Sequence, residues 1–92
     1  MYYIIAFDIS NDRVRYRAVK TIKGFGYRVQ KSVFECPDIT EKQLLTLKDT
    51  LEGLIDQRSD SVRYFRLCRA CLQEIEWSGL GRAPITDNFM VL

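Results

Sequence analysis

Ninety-two residues, a formal net charge of +2 and 47% hydrophobic content describe one ordered domain over 1–92, small enough that association commonly supplements its core. No stretch approaches the roughly 20 apolar residues of a membrane span, and the first residues lack the basic, apolar and small-residue order of an export signal. A membrane partner is therefore not expected and a cytoplasmic location is; three cysteines in such a chain argue against a disulfide framework.

The opening run "YYIIAFD" holds β-branched, aromatic and small residues closed by one carboxylate, Asp8, and predicts a strand over residues 2–8. Ile4 and Ala6 fall on one side of it, and Tyr3, Ile5 and Phe7 on the other, so both faces are apolar. Ser10 or Asn11 then caps a helix running to about Phe25, where "GFGY" stops it. Val14, Ala18, Ile22 and Phe25 line one side of this helix, and Arg13, Arg17 and Lys20 the opposite one. Arg15 projects near the apolar stripe, where it either snorkels past the core edge or reaches the loop carrying Asp8.

"YRVQKSVFEC" has strand character throughout, with Tyr27, Val29 and Val33 on one face and Arg28, Gln30, Ser32 and Phe34 on the other. One long strand over residues 27–36 and two short ones broken near Lys31 both fit. "PDITEKQLLTLKDTLEGLI" predicts a second helix, with Thr40 and Gln43 in capping-box spacing and Leu44, Leu47, Leu51, Leu54 and Ile55 as its stripe. "SVRYFRLC" reads as a further strand and "QEIEWSG" as another. The apolar tail "DNFMVL" either forms an edge strand on its own domain or sister subunit, or adds to the sheet edge of another chain.

Cys68 and Cys71 form "CRAC", a spacing shared by half zinc sites and redox pairs. Histidine is absent and Cys36 is the one further thiol, so a closed four-ligand zinc site lacks its ligands. The expectation is structural: Cys68 ends a strand and Cys71 packs in the turn after it.

These elements spell βαββαβ with a C-terminal strand extension, an α+β ferredoxin-like plait in which two helices cover one face of a four-stranded antiparallel sheet. The second apolar face of the first strand is left over, and its simplest cover is a second copy across a two-fold axis. Asp8 then has two readings. It offsets the dipole of the helix that follows, or, near the axis, it joins its copy in a site for Mg²⁺, which takes one or two carboxylates with water.

Charge is unevenly placed. Between Arg13 and Phe34 there is no acid, while Arg13, Arg15, Arg17, Lys20, Lys23, Arg28 and Lys31 supply half of the 14 basic residues. Such a concentration within one small domain suits a polyanion, since phosphate contacts supply most non-specific nucleic-acid affinity.

"IIAFDISNDRVRYRAVKTIKGFGYRVQKSVFEC", followed after the acidic helix by "DSVRYFRLCRAC", resembles the small CRISPR-associated adaptation proteins, the Cas-two family, from end to end. The resemblance rests on the order and spacing of the strand-terminal Asp8, the arginine-bearing helix and "RVQKSVFE". It implies a ferredoxin-like homodimer in which Asp8 of each copy faces its mate and holds Mg²⁺ or another divalent cation. It also implies a metal-dependent endonuclease acting on single-stranded RNA or double-stranded DNA, and a partner of CRISPR integrase dimers in spacer acquisition. The alternative is a non-catalytic DNA-binding scaffold that bridges those integrase dimers. Position by position, Asp8 matches the metal-binding and catalytic acid, and Arg15, Arg17 and Arg28 match basic residues used on nucleic acid, beside Arg13 and Lys20 of the basic face. Ser32 and Phe34 match an element next to the site. Phe7 stands where that family often carries tyrosine, and Asp12 is a second acid within reach of proton transfer.

Overall fold

The computed structural model describes residues 1–80. The expected tail "DNFMVL" lies outside them. In chain order the elements are β1 (Tyr2–Asp8), α1 (Asp12–Ile22), β2 (Tyr27–Gln30), β3 (Val33–Cys36), α2 (Glu41–Leu54), β4 (Ser61–Leu67) and a short α3 (Arg69–Gln73). The four strands form one antiparallel sheet in the order β2-β3-β1-β4, which is the ferredoxin-like arrangement read from the sequence. β1 is interior, with Ile5 opposite Phe34 on β3 and opposite Tyr64 on β4.

Local chemistry sets the helix boundaries. Asn11, rather than Ser10, caps α1: its side chain accepts the Val14 N–H at 3.0 Å. The helix ends at Ile22, short of the expected Phe25, because Phe25 and Gly26 both turn back to the Ile22 carbonyl. α2 carries the full capping box, Thr40 Oγ1 accepting from the Gln43 N–H at 3.1 Å and Gln43 Oε1 accepting from the Thr40 N–H at 3.0 Å. Leu44, Leu47 and Leu51 of α2 meet Ala18 and Ile22 of α1 in one core with Ile5, Phe7, Phe34 and Cys36 of the sheet. Burial pushes the Cys36 thiol up to about 11.

Residues 27–36 are two strands, with a turn at Lys31 and Ser32. The Arg28 guanidinium donates twice to the Lys31 carbonyl, at 3.0 and 2.6 Å, and holds that turn closed. A bulge between Arg28 and Gln30 corrects the expected alternation: Gln30 pairs with Val33 instead of sharing a face with Arg28 and Phe34. One extra residue reverses the side on which the strand ends.

The expected strand in "QEIEWSG" does not form. Residues 69–73 make α3, whose Leu72 is buried, and residues 74–80 hold no strand, with Trp77 and Leu80 exposed. Those apolar positions therefore lie on no pleated buried face. Cys68 follows β4 directly and caps α3, as its place at a strand end implies, but Cys71 is exposed rather than packed.

α1 and α2 cover one side of the sheet. Tyr2, Ile4, Ala6 and Asp8 point to the other, together with Val33, Glu35, Phe65 and Leu67, their cross-strand partners or register mates. Tyr2 is fully buried, Ile4, Ala6, Val33 and Leu67 are half-buried, and Phe65 is 46% exposed. On this face the Tyr2 and Tyr27 hydroxyls both donate to Glu35 Oε1, the latter at 2.9 Å. Burial first, then the Glu35 carboxylate, raises the Tyr2 hydroxyl far above its ordinary value. Tyr2 therefore serves as a neutral donor throughout the working pH range.

Gly26 shows how tightly α1 delivers the chain into the sheet. A Cβ there would stand 2.2 Å from the Glu35 carbonyl oxygen and 2.7 Å from Cys36 Sγ. Gly26→Ala forces backbone apart rather than a flexible side chain, so a loss of about 3 kcal/mol is expected. Urea unfolding followed by circular dichroism measures it, and a loss below about 1 kcal/mol would contradict the close approach.

Candidate active site at the end of the first strand

Asp8 is the last residue of β1, opposite Ser61 of β4, and its side chain is exposed. Immediately after it Ile9 plunges into the core at 3% exposure, which anchors the chain before it turns into α1. The Arg15 guanidinium reaches back from α1, donating from Nη1 to the Ile9 carbonyl at 2.9 Å and from Nη2 to the Asp12 carboxylate. Of the two readings of Arg15, the reach toward the loop is the one realised. Asp12 is thereby engaged, so the second acid proposed for proton transfer is held by an arginine and faces solvent.

The loop is tied on its other side as well. Ser10 donates to Asp60 Oδ1 from its backbone N–H at 3.2 Å and from its hydroxyl at 3.3 Å, while Asp60 Oδ2 accepts from the Asp56 N–H at 2.9 Å. One carboxylate in the α2–β4 connection therefore clamps the β1–α1 connection. The Asp56 N–H, and then Ser10, hold the Asp60 carboxyl below its ordinary value of 3.8. On the side of β3, the Phe7 N–H donates to the Ser32 carbonyl at 3.1 Å.

Phe7, Asp8, Ile9, Arg15, Lys31 and Ser32 line a cleft of about 230 Å³. Phe7 of this lining stacks on the buried Phe34 with ring centroids 6.2 Å apart, an arrangement worth about 1 kcal/mol beyond burial. Arg28 lies over the Phe34 ring, its guanidinium carbon 5.8 Å from the ring centre. The structure thus gathers four residues singled out from sequence, Phe7, Asp8, Arg15 and Ser32, with Phe34 beneath them. Lys31 joins them unforeseen as a site residue. Its signal was its position inside "RVQKSVFE", but only the β2–β3 turn brings it to the end of β1.

The remaining basic residues go elsewhere. Arg28 is committed to the turn. Arg17 and Lys20, exposed on α1, line with Thr21, Thr50 and Leu54 a shallow depression between α1 and α2, in the helix layer. Arg13 is likewise exposed on α1. The basic helix face and the carboxylate cleft are therefore separate features.

Among the described residues no group of three histidine, cysteine, aspartate or glutamate side chains is placed to hold a metal. Asp8 nevertheless fits half of a Mg²⁺ site, since no side-chain hydrogen bond claims its carboxylate among the described residues, and Mg²⁺ keeps several waters while taking one or two carboxylates. No helix among the described residues is long and apolar enough to cross a membrane.

Comparison with known proteins gives a consistent result. The family model described as CRISPR associated protein Cas2 matches residues 1–75. Two curated relatives named CRISPR-associated endoribonuclease Cas2 1 are each 41% identical to this chain. The one from Chloroflexus aurantiacus covers 96% of this chain and 95% of its own. That from Moorella thermoacetica covers all of both. Among solved structures, Streptococcus pyogenes Cas2 is 27% identical, superposes with a TM-score of 0.77, and covers 86% of this chain and 100% of its own.

The Asp60 clamp has a pH signature. A carboxyl lowered in the folded chain contributes stability that is complete above its ordinary value of 3.8 and is lost as pH falls through the lowered value. An NMR titration should therefore show the Ser10 and Asp56 amides shifting together with a midpoint below 3.8, and Asp60→Asn should abolish the shared transition. A midpoint at or above the ordinary carboxylate value would mean that the clamp does not form.

Proposed function

Because the chain belongs to the Cas2 family of CRISPR-associated proteins, we propose that it acts in CRISPR adaptation as a homodimeric, Mg²⁺-dependent endonuclease and as a partner of the CRISPR integrase. The observation that carries the nuclease reading is the exposed Asp8 carboxylate at the end of the sheet face turned away from α1 and α2, on which Ile4 and Ala6 are half-buried and Phe65 is exposed. A second copy laid on that face buries Ile4, Ala6 and Phe65, at roughly 25 cal/mol for each Å² of apolar surface. It also turns one carboxylate into two.

Asp8 of each copy would hold the metal, which when bound supplies a water of lowered pKa and polarises a phosphoryl oxygen. The chain's own groups do the rest. Lys31, at the mouth of the same cleft, offers an ammonium to a phosphate oxygen, and Ser32 offers polar contacts beside it. Arg15 acts through the backbone: its bond to the Ile9 carbonyl keeps Asp8 from swinging with its loop. Phe7 supplies an apolar wall without the hydroxyl that a tyrosine would add. The chain contains no histidine, so no imidazole shares the proton traffic, and slow turnover is expected. The substrates are the phosphodiester bonds of single-stranded RNA or duplex DNA.

The alternative reading, a scaffold that spans integrase dimers and grips duplex DNA without cutting it, is favoured by one observation. Arg17 and Lys20 lie in the helix layer, away from the cleft. Duplex held there need not approach Asp8.

Asp8→Asn keeps size and polarity while removing charge from both copies. Cleavage of single-stranded RNA and duplex DNA should fall to background in the presence of Mg²⁺, while sedimentation still reports two chains and duplex binding persists. Undiminished cleavage would end the Asp8 mechanism, and a wild-type monomer at micromolar concentration would end the shared site. Retained spacer integration alongside lost cleavage would support the scaffold role as the physiological one.

Replacing Arg17 and Lys20 with glutamate should weaken duplex binding irrespective of base sequence and flatten the log–log salt dependence by about 2, one for each phosphate that the variant no longer neutralises. Folding should be unaffected because both side chains are exposed. An unchanged salt slope would show that duplex docks elsewhere.

A further inference from the structure

Cys68 and Cys71 stand at the opposite end of the β1–β4 pair from the carboxylate cleft: Leu67 pairs with Tyr2, whereas Ser61 pairs with Asp8. Both thiols are free and exposed, and their sulfurs are hydrogen-bonded to each other at 3.3 Å. Cys68, but not Cys71, lines a cleft of about 400 Å³ together with Met1, Tyr2, Arg66, Leu67 and Arg69. Two arginines thus line the same cleft as one residue of a juxtaposed thiol pair.

We propose that Cys68 and Cys71 form a thiol–disulfide exchange site that takes an anionic low-molecular-weight disulfide, with Cys68 as the attacking sulfur and Cys71 as the resolving one. The assignment of roles follows from access, since the cleft opens on Cys68. The choice of substrate charge follows from Arg66 and Arg69, which suit a disulfide bearing carboxylates. Proximity makes the second step intramolecular, because the sulfurs need to close by only about 1.3 Å to reach bonding distance. Acidity agrees with this order. The backbone N–H of Cys71, and then its thiol, lower the Cys68 thiol from its ordinary value, while Cys68 raises that of Cys71. Cys36 takes no part, being fully buried.

In the first step the Cys68 thiolate attacks one sulfur of the incoming disulfide. A bond forms between Cys68 Sγ and that sulfur, and the other half leaves as a thiolate. Cys71 then gives up its proton and attacks Cys68 Sγ, forming the Cys68–Cys71 disulfide and expelling the second half. The two protons shed by the cysteines end on the two released thiols. The incoming disulfide is reduced by two electrons, and the dithiol is oxidised by two.

The test uses the full, reduced chain and oxidised glutathione at neutral pH, read by mass spectrometry and peptide mapping. Wild type should lose two hydrogens, with the new bond mapped to Cys68–Cys71 and Cys36 still free. Cys71→Ser should stop at one glutathionyl group on Cys68, and Cys68→Ser should form neither product at a comparable rate. Replacing Arg66 and Arg69 with alanine should slow the reaction with oxidised glutathione by about two- to fivefold, the range expected of exposed charge pairs. The same variant should leave the reaction with uncharged bis(2-hydroxyethyl) disulfide unchanged. Both thiols remaining free, disulfides formed between chains instead, or modification directed to Cys71 in the wild type would overturn the proposal; equal slowing with both reagents would overturn its anionic specificity.

Discussion

The two hydrogen-bond ladders along β1 carry the arrangement on which the rest depends. Its residues pair with β4 from Tyr2–Leu67 to Asp8–Ser61, and with β3 from Tyr3–Cys36 to Ala6–Val33. A slip of one residue in either ladder would exchange the faces of every side chain. In β1 alone such a slip meets little resistance, because Ile4 and Ala6 are as apolar as Ile5 and Phe7. The neighbouring strand supplies the distinction. Phe34 and Cys36 belong in the core, whereas Glu35 belongs opposite Ile4, where Tyr2 and Tyr27 both donate to it. That polar cluster makes the correct register the one that leaves no buried side-chain polar atom unsatisfied among the described residues. It also leaves Asp8 pointing to the open face.

Once the register is set, the basic residues divide by what their donors are asked to do. Arg15 and Arg28 each satisfy a backbone carbonyl in a connection, Ile9 in one case and Lys31 in the other. These are the two connections that border the carboxylate cleft. Their guanidinium groups therefore shape the cleft more than they present charge to its occupant, and Lys31 becomes its accessible cation. Arg17 and Lys20 retain free donors toward solvent on the helix layer. A polyanion thus meets two separate positive regions on one small domain, one beside an acid and one without. This separation is the physical basis on which cutting and holding nucleic acid become distinguishable activities.

The sequence by itself determined the element order, both helix stripes, the capping box at Thr40 and Gln43, and the doubly apolar first strand ending on Asp8. These follow from local periodicity and from side chains that bond within three or four residues of themselves, so they need no knowledge of distant chain. The family was legible too, because its spacing is carried along the whole length. Tertiary structure decided what depends on registration between distant segments. It assigned Asp60 to a clamp on Ser10, a bond across fifty residues that no window of sequence contains, and it chose the loop rather than the core edge for Arg15. It brought Lys31 into the cleft and turned Gln30 over through a bulge. It also made "QEIEWSG" something other than a strand, since alternation of residue types specifies a strand only where a sheet edge receives it and a core buries one of its faces.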